Sequence, residues 1–155
     1  MRPIVLLTAL LSLGLGTSVV AQQQPSANMK IVAEKIRADK KLLVAGNMDL
    51  TEAEAAKFWP VYDAYQADLG KIAERTVTLI KNYAASYETM TDEAADKLLT
   101  ELLGIEKDRV ALMQSYRPRF AAVVPARKVS RYYQIENKIR AVINYELADA
   151  IPLVP

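Results

Sequence analysis

The sequence predicts an all-α protein: a long, bent antiparallel helical hairpin with a further helix at each end. Three observations carry this expectation. From Phe58 to Tyr83, apolar or aromatic side chains recur at steps of four and three, the period of a helix seam. Two Thr-led segments with acidic residues just behind them open long amphipathic runs, as capped helices do. No Asn-Gly or Asp-Gly dipeptide and no alternating apolar run marks a hairpin of strands.

The chain begins with a segment expected to stand outside this fold. Arg2, the apolar run Ile4 to Leu15, and the small residues from Gly16 to Ala21 have the layout of a secretory signal peptide cleaved after Ala21. The apolar run is shorter than the ~20 residues a membrane span needs. Residues 22–27 read as a polar, disordered leader. Residues 28–155 read as one all-helical domain, in the periplasm or outside a bacterial cell.

The first helix is expected from about Asn28 to Ala45, with Met29, Val32, Ile36 and Leu43 as its stripe and Gly46 as its stop. The second starts at Thr51, where Thr51 and Glu54 form a capping box. Its seam runs Phe58, Tyr62, Tyr65, Leu69, Ile72, Thr76, Leu79, Tyr83. Extended to Glu88 it would measure about 57 Å. Thr91 caps the third helix, with Asp92 and Glu93 where the helix dipole favours negative charge. Leu98, Leu102, Ile105, Arg109, Leu112, Tyr116 and Phe120 form its stripe. Pro125 suits the first turn of a fourth helix, whose inner face is expected to be Tyr132, Ile135, Ile139, Val142, Ile143 and Leu147, with Pro152 as its end. With the turn between Thr89 and Met90, Pro60 and Pro118 fall at nearly the same level. Each costs about 3 kcal/mol in a straight helix interior, so both helices are expected to bend there.

Composition excludes much chemistry. The chain has no Cys and no His, hence no disulfide, thiol nucleophile or imidazole base. Paired carboxylates such as Glu52/Glu54 or Glu101/Asp108 are what the wet face of an amphipathic helix carries anyway. Asp92, Glu93 and Asp96 offer hard-cation oxygens without resembling a calcium loop. No enzymatic activity, cofactor or metal is expected. Charge is unevenly placed: residues 22–116 carry 12 basic and 15 acidic side chains, residues 117–155 seven and three. The basic cluster includes Arg117, Arg119, Arg127, Lys128 and Arg131. An exported cluster of this kind suits protein segments or a membrane surface more than nucleic acid. Trp59, the single tryptophan, lies beside the seam and opposite Arg117 and Arg119 in the expected hairpin. Eight tyrosines against two phenylalanines suggest aromatic positions at a half-wet boundary. A long thin hairpin also buries little of itself, so a homodimer is expected.

Leu50-Thr51-Glu52-Ala53-Glu54-Ala55-Ala56 and Met90-Thr91-Asp92-Glu93-Ala94-Ala95 each open a long helix, 40 residues apart. The pair resembles the periplasmic LTxxQ-motif (Spy/CpxP-like) family, with Glu54 at the glutamine position and Met90 at the second leucine. The resemblance covers about residues 47–125 and implies a bent hairpin, often dimeric, acting as an ATP-independent chaperone or envelope-stress sensor. Metal binding by His-rich relatives does not carry over to a chain without His. The expected function is binding of non-native or regulatory protein segments through Trp59, Arg117, Arg119, Arg127, Lys128 and Arg131. The alternative is an interaction protein dedicated to one envelope protein or to the membrane surface.

Overall fold

The computed structural model describes residues 39–155. The expected signal peptide, the leader and the first part of the first helix lie outside the described residues. Four helices follow in order: α1 over 39–48, α2 over Glu52–Ser86, α3 over Asp92–Ala121 and α4 over Ala126–Ala150. A short 3₁₀ turn, Tyr87–Thr89, joins α2 to α3. Among the described residues there is no strand, and no helix is long and apolar enough to cross a membrane.

Local chemistry sets each boundary. α1 does not stop at Gly46; it runs on to residue 48. Glycine costs about 1 kcal/mol in a helix interior, but continuing places both Val44 and Met48 fully inside the core. Asp49, at φ 48°, ends the helix in the left-handed region that Asp tolerates better than most residues. The expected capping box of α2 is complete: Thr51 Oγ1 accepts from the Glu54 amide at 3.3 Å, and the Glu54 carboxylate accepts from the Thr51 amide at 2.9 Å. Thr91 caps α3 by accepting from the Ala94 amide at 3.2 Å. Pro125 sits one position earlier than expected, at the N-cap of α4, and its carbonyl takes the Lys128 and Val129 amides.

Pro60 and Pro118 both lie inside unbroken helices. Each removes one bond, to the carbonyls of Ala56 and Gln114 four residues back. Packing on both sides of each proline keeps the helix intact: Phe58 and Tyr62 flank the first, Tyr116 and Phe120 the second, and all four are buried.

Direction follows from which residues meet. Phe58 lies against Phe120, and Tyr65 against Tyr116; Arg75 bonds Glu101 and Asp108. Numbers rise on α2 as they fall on α3, so the two run antiparallel. α4 runs parallel to α2, with Lys128 at Glu54, Tyr132 and Glu136 at Gln66, and the Pro152 carbonyl accepting from Tyr83 Oη at 2.8 Å. α1 is antiparallel to α2 through Lys40–Gln66 and Lys41–Asp63.

The core gathers at one end of these helices. Phe58, Tyr62, Tyr65, Tyr116, Phe120 and Tyr132 are buried together with Val44, Met48, Val124, Val129 and Ile135. Phe120 is the hub, with ring centroids of Tyr132 at 4.7 Å, Phe58 at 5.5 Å and Tyr65 at 5.9 Å. Most of these pairs are edge-to-face or tilted, the geometry ring quadrupoles favour by about 0.5–1.5 kcal/mol each. Four tyrosines are therefore core residues, as their seam positions imply and against the half-wet boundary that the tyrosine count suggests. Some of the tyrosine hydroxyls find partners at the rim: Tyr116 Oη donates to Asp68 at 2.7 Å, and Tyr133 Oη to the Met113 carbonyl at 2.9 Å. Burial raises the Tyr132 phenol well above its ordinary value, and the Glu136 charge adds to this. Burial also pushes Tyr133 up, to about 12.

One polar cluster enters this core. Lys40 Nζ donates to Glu136 Oε2 at 2.8 Å and to Gln66 Oε1 at 3.0 Å. Gln66 Nε2 donates to Glu136 Oε1 at 2.9 Å and to Tyr132 Oη at 3.1 Å. Three helices are thus tied by groups that satisfy one another, as a buried polar network must.

Toward the other end the seam opens. Leu69, Leu79 and Tyr83 are only half-buried, and Val142, Ile143 and Leu102 are exposed rather than on inner faces as expected. Ile135, Glu136 and Ile139 meet α1 and the hairpin; beyond them α4 carries no buried residue.

Candidate functional site

The residues singled out in the sequence separate into three places. Lys128 and Arg131 lie at the first turns of α4 and reach the loop between α1 and α2. Lys128 Nζ donates to Glu54 Oε2 at 2.5 Å and to the Asp49 carbonyl at 2.7 Å. Arg131 bonds Asp49 Oδ2 at 2.6 Å. Lys128 holds the Glu54 carboxyl below its ordinary value, and the Thr51 amide lowers it further. Glu54 therefore serves two elements at once: it closes the α2 cap and anchors α4. Neither Lys128 nor Arg131 presents an uncommitted charge.

Arg117, Arg119 and Arg127 are exposed and make no ion pair among the described residues. The Arg119 guanidinium stacks over the Tyr116 ring at 4.5 Å. That ring's hydroxyl donates to Asp68, whose carboxyl is held low first by Lys71 and then by this bond.

Trp59 is half-buried and packs edge-on against Phe58 at 5.1 Å and Tyr62 at 5.3 Å. The Lys41 ammonium lies 5.2 Å from its ring, a cation–π distance. At about 100° per residue, Trp59 and Asp68 point to opposite sides of α2. Trp59 therefore belongs to the α1 flank and Arg119 to the α3 flank. The structure does not bring Trp59 and the arginines onto one face.

The helix-opening motifs also have places. Leu50 is half-buried against the aromatic core, and Thr51 and Thr91 are N-caps. Met90 is half-buried, with its sulfur 4.0 Å from Ser86 Oγ. The Glu101/Asp108 pair is gripped by one guanidinium. Arg75 bonds both Glu101 oxygens, at 2.9 and 3.2 Å, and Asp108 at 2.5 Å, which raises the arginine further above its ordinary value. These carboxylates join α2 to α3.

What the seam pattern did not reveal is the open distal half. Val142 is 64 % exposed, Tyr145 73 % and Ile143 46 % on α4. The meeting of Tyr133 with Met113 and of Arg140 with Glu106 sets Ile143 at the level of Leu103 on α3, itself exposed. Val142 and Tyr145, about 60° apart around the helix, form an exposed apolar strip of the kind that proteins use for other proteins, and Ile143 faces the other side. A signal existed in the sequence: after Ile139, α4 alternates these residues with Asn144, Glu146 and Asp149, leaving no stripe wide enough to bury.

No family model, no curated protein and no solved structure matches this chain.

Proposed function

We propose that this chain is an exported, ATP-independent chaperone-like or envelope-stress adaptor protein, a divergent relative of the LTxxQ-motif (Spy/CpxP-like) proteins, acting in the periplasm. It holds non-native or regulatory protein segments. The observation that supports this reading is the strip of large apolar side chains left in water on the distal half of α4: Val142 and Tyr145. Loose apolar contact there holds an unfolded segment without a fixed pocket or a nucleotide. Arg117, Arg119 and Arg127 act at a distance, raising the encounter rate with acidic segments. Lys128 and Arg131 have a structural role through Asp49 and Glu54, so their replacement acts on stability rather than on binding.

The test is light scattering of an aggregating client without ATP, using protein purified from cells expressing the full chain. Suppression at a near-equal molar ratio is expected. Val142→Ser/Tyr145→Ser should abolish most of it while helicity stays unchanged. Arg117→Glu/Arg119→Glu should weaken it at low salt and have little effect at high salt. Absence of suppression across several clients would overturn the reading. It would turn attention to a single dedicated envelope partner.

A further inference from the structure

Two ion pairs among the described residues are loose, and both end on Glu106. Its carboxylate lies 3.7 Å from Arg109 Nε and 3.5 Å from Arg140 Nη1. Every other pair among those residues closes to 2.9 Å or less. Arg109 belongs to the inner stripe of α3, between the buried Ile105 and the half-buried Leu112. Its side chain is 16 % exposed, and its Nε is buried without a hydrogen-bond partner. Arg140 comes from α4 and is half-buried, with one guanidinium nitrogen donating to Asn137 Oδ1 at 3.2 Å. The charges of both arginines act on the Tyr65 phenol. They converge where the aromatic core ends and α4 ceases to bury side chains. The carboxylate one turn before Arg140 on α4, Glu136, is taken by Lys40 and Gln66.

We infer that Arg109 and Arg140 form a binding site for an oxyanion, a carboxylate or phosphate group, with Glu106 as its displaceable stand-in. The argument rests on charge and on geometry. Two guanidiniums share one carboxylate, which leaves one positive charge over. A guanidinium fork and an oxyanion match at about 2.7–2.9 Å. Glu106 is fixed on α3 one turn before Arg109 and reaches neither arginine at that distance. An anion arriving from solvent has no such tether and closes on both forks. Access is graded: Glu106 is 50 % exposed, Arg140 39 % and Arg109 16 %. The site therefore opens between α3 and α4 with Arg109 at its base. Stability does not account for Arg109, because a buried donor without an acceptor is unfavourable and an apolar side chain of similar size suits the stripe better. Recognition does account for it, since the planar fork of arginine matches carboxylate and phosphate. Val142 and Tyr145 lie about 160° and 140° around α4 from Arg140, so the site stands whether or not clients bind that strip.

Calorimetric titration of protein purified from cells expressing the full chain tests this. The probes are sodium phosphate and a blocked tetraglutamate peptide, each added at constant ionic strength. Binding of at least one is expected. Phosphate binding alone identifies a free anion as the ligand, and peptide binding alone a carboxylate carried on a polypeptide. Arg109→Met and Arg140→Gln should each weaken binding roughly tenfold, with helicity unchanged. Lys138→Gln removes an exposed charge about 160° around α4 from Arg140 and should leave the affinity as it was. Glu106→Gln should tighten binding roughly threefold, because the competing carboxylate is gone. A glutamate that served only to pair the two arginines would give no such gain. Failure of both probes to bind at millimolar concentration, equal affinity in Arg109→Met and Lys138→Gln, or weaker binding by Glu106→Gln would each overturn the inference.

Discussion

Replacing Lys40 by Met tests whether the buried network holds α1 in place. The lysine side chain is 15 % exposed and its partner Glu136 9 %. Removing the ammonium deletes bonds of 2.8 Å to Glu136 and 3.0 Å to Gln66. It leaves a carboxylate inside the helix packing with Gln66 Nε2 as its remaining donor at 2.9 Å. Breaking a buried pair from one side costs about 3–5 kcal/mol. The slight exposure of both ends places this one near the bottom, at ~3 kcal/mol. Glu136→Gln should cost less, about 1 kcal/mol, because the amide still meets Gln66 while the lysine extends toward water. The double variant should cost about as much as Glu136→Gln alone, a coupling of ~2–3 kcal/mol. The assay is urea unfolding at fixed protein concentration, followed by fluorescence of Trp59, which packs on Phe58 and Tyr62 beside Lys41. A Lys40→Met cost below ~1 kcal/mol, or additive single costs, would refute the reasoning.

Other outcomes follow from the same physics. Gly46→Ala should stabilise by about 0.5–1 kcal/mol in the same assay, because Gly46 is helical and a Cβ there meets nothing within 4 Å. Glu54 and Asp68 both titrate lower in the folded state than their ordinary 4.5 and 3.8. Their contribution is complete above those values and is lost as pH falls below them. Urea midpoints should therefore drop from about pH 5 to about pH 3, and drop less steeply in Glu54→Gln/Asp68→Asn. Arg109→Met should be neutral or stabilising by up to ~1 kcal/mol, since Arg109 Nε is buried without a hydrogen-bond partner and Met fills the same space; a loss above ~2 kcal/mol would contradict this.

The all-helical architecture was legible because its signals are local. The Thr51–Glu54 box and the Thr91 cap form with bonds between neighbours, and the Phe58-to-Ile72 steps register one face. Other features depend on tertiary partners that no local pattern contains. Gly46 reads as a stop, yet burying Val44 and Met48 outweighs its cost. Val142 and Ile143 fit an inner stripe, but no element among the described residues buries them. The basic cluster reads as one patch. In the structure Lys128 and Arg131 are drawn onto Asp49 and Glu54, and Trp59 turns to α1. Charge counts cannot distinguish a free cation from one that holds a loop. Tyr62, Tyr65, Tyr116 and Tyr132 fit the inward seams that the spacing marks; the half-wet boundary suggested by the tyrosine count does not hold for them, because composition does not say at which end of the bundle rings converge.

The most direct measurement places a polarity-sensitive dye on the distal half of α4. Tyr145→Cys gives a unique attachment point in a chain without cysteine, and Ser130→Cys, exposed near the start of the same helix, is the control. Adding an unfolded client should shift the emission of the label at position 145 to the blue and leave that at position 130 unchanged. Aggregation suppressed with no response at position 145, or equal responses at both positions, would contradict client binding through distal α4.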